Sequence, residues 1–394
     1  MLTAMLTVIC AGPVPVPPPS GPNAMAPSLT TCSTGVLLSW LTPPDAETGA
    51  RSLMYSMRAP GTQTTWSPPK AITTRANFFA NWADVPRVAE GADGTAWATW
   101  LQVSGPGTYA YDIGTARAHD LQAPWVEHGT LNDDRVLGEH GFVSLVPDAG
   151  GLRAFWLDGR AMTGEGHAGH GGGDMTLRTA MLTDTIGTST VLDTRVCECC
   201  PTGATVLPLG PAVVARDRGP EEERDIAIVR LVEGSWMQPK PVSADAWRIN
   251  GCPVNGPRIE ADGATVAVAW FSGGGEHPGL NIAWSIDGGT NFNPPITLDN
   301  TGAAGHPAMA LIDGGALIAW LDDLGEDQWL KVRFVGIDGR IGPIEHLAQV
   351  PAGRRAGVPQ MATLGKHVLV TWVAADHKKG LDALLLPIST FPRP

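Results

Sequence analysis

Four cysteines stand in two short segments, Cys197, Cys199 and Cys200 in VCECCPT and Cys252 in WRINGCPV. Thiolates are soft ligands that select copper(I), zinc or iron–sulfur clusters. Along an extended loop the spacing Cys-x-Cys puts Cys197 and Cys199 on one side and turns Cys200 the other way, so Cys197, Cys199 and Cys252 are the expected ligands, with Cys200 a fourth candidate. Copper is the expected metal, and zinc is the alternative that spacing leaves open. Three thiolates around copper(I) leave an open position for dioxygen or a small substrate, which points to an oxidoreductase acting on a small molecule, or to a copper-handling protein. The same cysteines in an oxidising compartment would instead close two disulfides, or supply a catalytic thiol. Cys32, in the strand-like run SLTTCS of the first repeat, reads as an inert buried thiol.

Other chemistry-bearing residues lie in glycine-rich or charged punctuation. His140 in GEHGF is a candidate fifth ligand, the competing reading being a histidine hydrogen-bonded to a neighbouring loop. Glu139, Asp158 and Arg160 in GEHGF and WLDGR, and Arg216 in ARDR, are the candidates for orienting substrate and passing protons. Their bland reading is a set of ion-paired loop struts, and Arg224 and Asp225 read the same way. Arg218, His167, His170, Trp82 and Trp247 are candidate substrate-binding residues. The glycines of TGEGHAGHGGGDM leave His167 and His170 either closing on a metal or substrate or simply solvated.

These residues need a scaffold, and the sequence supplies one by repetition. A small residue, an apolar run and a tryptophan recur: GVLLSW ends at Trp40, GTAWATW at Trp100, GLRAFW at Trp156, ATVAVAW at Trp270, GALIAW at Trp320 and HVLVTW at Trp372, with GPAVVAR ending at Arg216 in the fourth place. Successive ends are 60, 56, 60, 54, 50 and 52 residues apart, a period of about 55 that suits a four-stranded propeller blade. Each copy has a strand-like run before it, as in PRIEADG, and another after it, as in LNIAWSID. An aromatic before prolines, Trp66, Trp236 or Phe292, marks a fourth strand in three copies. The expected fold is therefore all-β, one seven-bladed β-propeller over residues 27–394, or six-bladed if the first repeat only closes the ring. The loops leading into blades three, four and five, and those joining their second and third strands, then bring the cysteines, histidines and Arg/Asp pairs to one axial rim.

SIDGGTNF, Ser285 to Phe292, resembles the Asp-box, Ser-x-Asp-x-Gly-x-x-Trp/Phe, of the sialidase-like propellers, and AHDLQAPW is a degenerate cousin. VCECCPT, RDRGPEEERDI and WRINGCPVNGPRI resemble a bacterial exported group within that superfamily. The resemblance implies a propeller fold and, as the alternative function, a glycan-binding or glycoside-hydrolase module. Sialidases use an arginine triad, a tyrosine nucleophile paired with a glutamate, and an acidic aspartate. Here Tyr55, Tyr109 and Tyr111 all lie in the first two repeats and the Phe-Arg-Ile-Pro motif is missing, so sialidase catalysis is not expected.

Composition narrows the partners. Lys and Arg total 27 against 39 Asp and Glu, a net charge of −12, which offers no basic stripe to a nucleic acid. No apolar run is long enough to span a bilayer. Residues 1–26 read as an export signal or lipoprotein-type lipid anchor around Cys10, followed by a proline-rich linker. An extracytoplasmic monomer is expected.

Overall fold

Each repeated apolar run becomes the second strand of a four-stranded antiparallel sheet, because its residues alternate between two faces that are both covered by neighbouring sheets. The computed structural model describes residues 12–162, 173–322 and 328–391. Its strands form seven sheets, and in six of them the strands run in chain order from the axis outward. The innermost strands of blades 1 to 7 are Met25–Cys32, Arg87–Glu90, His140–Asp148, Gly203–Leu207, Arg258–Asp262, Ala303–Ile312 and Gln360–Leu364. The protein is a seven-bladed β-propeller.

Ring closure departs from the sequence reading. Val14 and Pro15, expected in a linker, pair with Leu385 and Leu384 and form the outermost strand of blade 7. Val16 is buried and its carbonyl accepts from the Trp66 indole at 2.8 Å, while Ser20 Oγ accepts from the Leu381 amide at 3.0 Å. Proline suits an edge strand, where no partner needs its missing N–H. The aromatic–proline marks also fall slightly early: Trp66 and Phe292 precede the outer strands Lys70–Arg75 and Ile296–Asp299, and blade 4 divides its outer strand into Ser235–Trp236 and Lys240–Pro241.

The recurring tryptophan is packing. Trp40, Trp100, Trp156, Trp270, Trp320 and Trp372 are all at most 4% exposed. Three of the indoles donate to a nearby aspartate: Trp156 to Asp158 at 2.9 Å, Trp270 to Asp245 at 2.6 Å and Trp320 to Asp299 at 3.1 Å. Opposite the rim, Asp287 Oδ1 accepts from the Ser285 hydroxyl and from the Thr290 and Asn291 amides, closing the turn over residues 285–291.

The axial ends of inner strands 1, 3 and 6 carry bulges, between Met25 and Ser28, Gly141 and Ser144, and Gly305 and Ala308. Each holds a non-glycine residue in the left-handed region: Ala26, Phe142 and His306 at φ 55°, 54° and 56°. Such bulges re-aim side chains at the mouths of closed sheets. Because residues 14–16 fasten blade 7, removing residues 1–19 is expected to cost about 2–4 kcal/mol through lost apolar burial and hydrogen bonds. Urea unfolding of the truncated and full chains checks this, and hydrogen exchange at Leu384 and Leu385 should rise.

Candidate functional site

The loop into blade 4 turns sharply after Val196, and the turn brings three thiols together. Cys197 Sγ lies 3.2 Å from Cys200 Sγ and 3.9 Å from Cys199 Sγ, and the three sulfurs all lie within 4.8 Å of one another. Residues 198 and 199 form a turn, not extended chain, so adjacent Cys199 and Cys200 do not alternate, and Cys200 points inward to join Cys197 and Cys199. Cys252 reaches the group from the next loop, hydrogen-bonded to Cys199. The two cysteine loops meet because residue 256 is glycine: a Cβ there would lie 2.0 Å from the Pro201 carbonyl oxygen. The Asn255 amide then donates to Cys200 Sγ at 3.4 Å.

The charges around the thiols are buried and paired. Burial opposes ionisation of Cys197, but hydrogen bonds from Cys199 and Cys200 and the Arg224 charge outweigh it and hold this thiol well below the usual range. Cys199 is pushed up by its hydrogen bonds to Cys197, Cys200 and Cys252, and Cys200 by burial, while the bond from Cys199 draws Cys252 down. The Arg224 guanidinium stands beside Cys197. Arg224, 1% exposed, donates to Glu198 at 2.9 Å and to Glu222 at 2.9 Å. Arg218 bonds the same two carboxylates, so it is part of this knot and its expected place in a substrate pocket is not supported.

Arg216 fills the tryptophan slot of blade 4. It is 1% exposed, and its guanidinium makes four hydrogen bonds to backbone carbonyls: two to Asn255, at 3.0 and 2.8 Å, one to Arg224 at 2.6 Å and one to Phe271 at 2.7 Å. Its own carbonyl accepts from the Cys197 amide at 2.9 Å. A guanidinium so committed has no capacity for catalysis, and the expected catalytic role is corrected to a clamp. Trp247 covers its face at 4.7 Å and packs edge-on to Phe271, so this ring also serves the clamp and not a pocket wall. Trp82 does stand at the rim, half-buried, with its ring 5.2 Å from that of His306.

A second group faces the cysteines from blades 2 and 3. Tyr111 donates to Glu139 at 2.6 Å and stacks on Phe79 with centroids 4.4 Å apart. Burial pushes Glu139 up to about 7, against the Tyr111 hydrogen bond and with the help of the Glu198 and Cys197 charges. Asp84 accepts from the Phe142 amide at 2.7 Å and is pushed by burial to about 7 as well. Residue 141 must be glycine, since a Cβ would sit 2.0 Å from Asp84 Oδ2. A carboxyl poised near neutrality beside a buried phenol can take up or release a proton, and Glu139 alone of the expected catalytic residues keeps that capacity.

His140, Asp158 and Arg160 form a strut apart from the thiols. His140 is fully buried, with Nδ1 3.1 Å from the Tyr111 carbonyl and Nε2 3.2 Å from Asp134. Arg160 meets Asp158 at 2.7 Å, Asp133 at 2.8 Å and Asp134 at 2.9 Å. Asp134, His140 and Asp158 have metal-like spacing, yet the guanidinium already supplies the positive charge that a cation would. His140 therefore opens the inner strand of blade 3 hydrogen-bonded to the neighbouring Tyr111 carbonyl and does not join the thiol group, and Asp158 and Arg160 are struts. His167 and His170 lie outside the described residues.

Glu198, Arg224, Tyr111 and Asp84 carry much of the site's electrostatics, and only Arg224 stood out in sequence, as a strut. The signal for Glu198 was its place between two cysteines.

The chain matches no protein-family model and no curated protein. Among solved structures, a protein of unknown function from Dyadobacter fermentans aligns with a TM-score of 0.53 at 14% identity, covering 96% of this chain and 98% of that one. An ulvan lyase aligns at 0.53 and 10% identity over 96% of each chain, and the endosialidase of phage phi92 at 0.51 and 11%, over 95% of this chain and 69% of its own. These are likenesses of fold.

Two outcomes follow from the site. Arg216→Met leaves the carbonyls of Asn255, Arg224 and Phe271 without donors, at about 1–3 kcal/mol each, so urea denaturation should register a loss of about 3 kcal/mol or more. Asp84 and Glu139, titrating near 7 when folded against about 4 when unfolded, bind their protons more tightly in the folded state. Their stabilisation is complete below about pH 4 and is lost as pH rises through 7. Urea midpoints measured from about pH 5 to 8 should therefore fall, and Glu139→Gln should flatten the slope.

Proposed function

We propose that this is an exported propeller protein that holds a soft metal ion, copper(I) ahead of zinc, on cysteine thiolates at its axial rim, and that it either oxidises or reduces a small molecule there or passes copper on. The observation that carries this reading is the convergence of Cys197, Cys199 and Cys200, with Cys252 packed beside them. Metal–sulfur bonds of about 2.3 Å in a tetrahedral site place sulfurs about 3.8 Å apart, and the Cys197–Cys199 separation of 3.9 Å suits that spacing. The amide on Cys200 and the Arg224 charge beside Cys197 are the neighbours that thiolate ligands require. A bound copper ion would supply one-electron chemistry. Around it, Tyr111 and Glu139 hold an exchangeable proton, while Arg216 and Arg224 fix the thiol loops from below.

The test is metal content and free-thiol count on protein purified without reductant. About one copper per chain is expected, with thiols shielded from alkylation until the metal is removed. Cys197→Ser and Cys200→Ser should abolish uptake and Cys32→Ser should not. Two disulfides and no uptake by the reduced protein would overturn the reading.

A glycan-binding or glycan-cleaving module is the second reading. It is favoured by the Tyr111–Glu139 pair, by the aromatic rim of Phe79 and Trp82, and by the shared fold of the phage endosialidase and the ulvan lyase. Release of sugar from a sialoside or a uronate polysaccharide by metal-free protein, lost in Tyr111→Phe, would establish it in place of the first.

A further inference from the structure

The axial channel holds a polar layer that the thiol site does not use. The channel is a cavity of about 1410 Å³ walled by the inner strands, and it opens between the hairpins that join first and second strands, opposite the cysteines. Strand register sets one residue of each blade at the same height, opposite the position before the recurrent tryptophan: Arg87 pairs with Thr99 and Arg258 with Ala269 in this way, as Ser28 does with Ser39 and Gln360 with Thr371. Blades 2 and 5 stand nearly across the axis from each other, so two arginines share one level of the channel.

Both guanidiniums are anchored by part of their donor set. Arg87 Nε donates to the Val143 carbonyl at 3.1 Å and Nη1 to Ser28 Oγ at 3.2 Å. Arg258 Nε donates to the Pro307 carbonyl at 3.1 Å. Among the described residues neither arginine has a carboxylate within ion-pairing distance. Among the described residues, Arg87 Nη2 and both terminal nitrogens of Arg258 have no acceptor. The two also repel: burial and then the Arg258 charge lower Arg87 to about 9. The nearest acids, Asp84 and Glu260, are pushed by burial to about 7, so each offsets its arginine only in part at neutral pH. The channel mouth carries Glu90, Asp262 and Asp313 against Lys366, which leaves the positive charge concentrated at the arginine layer.

We propose that Arg87 and Arg258 form a binding site for a small oxyanion, a carboxylate or a phosphate, bridged between them in the axial channel. Guanidinium forks with fixed Nε atoms and free terminal nitrogens match the paired oxygens of such an anion. The site lies below the thiol cluster and is independent of whether that cluster holds a metal.

Isothermal titration of the full chain with inorganic phosphate, and separately with oxalate, tests this, with chloride at equal ionic strength as control. Saturable binding is expected for at least one of the two, and competition between them identifies the preferred class. Arg87→Met and Arg258→Met should each weaken binding by about tenfold or more, Arg258→Lys should retain part of it, and Cys197→Ser should leave it unchanged. Circular dichroism establishes that each variant is folded. Absence of saturable binding of either anion to the wild-type chain, or wild-type affinity in both folded methionine variants, would overturn the proposal.

Discussion

Seven twisted sheets close into a ring only if every sheet buries both faces against its neighbours, and the tryptophan at the end of each second strand is the spacer that makes this possible. Six blades place a large indole there, out of water. Blade 4 places Arg216 there instead, and the local structure follows from that exchange. A buried guanidinium must be hydrogen-bonded, and the available acceptors are backbone carbonyls at Asn255, Arg224 and Phe271. Binding them draws together the loop before blade 5, the charged loop of blade 4 and the second strand of blade 5. The thiol loop joins the same knot through the Cys197 amide.

The thiol cluster is thus built on a charge. Burying sulfur is easy, but burying a thiolate is costly without a counter-charge. Arg224 supplies it at Cys197, and Glu198, though flanked by cysteines, turns away from adding to the negative charge by engaging Arg218 and Arg224. The result is a group in which the Cys197 thiol is held low and those of Cys199 and Cys200 are pushed up, an arrangement suited to a cation that displaces thiol protons. Glu139 and Tyr111 lie on the other side of the same opening, so that opening has a proton store with an affinity near neutrality.

The propeller separates two electrostatic regions along one axis. At the rim, loops of blades 3 to 5 supply sulfur and carboxylate; deeper, inner strands 2 and 5 supply two arginines whose carboxyl neighbours are pushed up by burial to about 7. Asp84 connects the regions, bonded to the Phe142 amide and close enough to feel both Arg87 and Glu139. The bulges at Ala26, Phe142 and His306 lie where the inner strands reach this boundary.

Sequence alone determined the fold, because a blade is a local unit: its period, its tryptophan and its strand alternation are each written within about 55 residues. It also gathered the cysteines at one rim, since blade order dictates which loops share a face. It did not determine side-chain direction within those loops. The turn at Glu198–Cys199 brought Cys200 in beside Cys197 and Cys199, and Arg216 proved to be committed to backbone carbonyls, and Asp158 and Arg160 to each other, inside the wall. Nor could sequence find the pairs Tyr111–Glu139 and Arg87–Arg258, or the closing strand at Val14–Pro15. These pairs lie 28, 171 and about 370 positions apart, and no local pattern records them. Only the closed ring, which sets Val14–Pro15 against Leu384–Leu385 and blade 2 across from blade 5, decides that they come together.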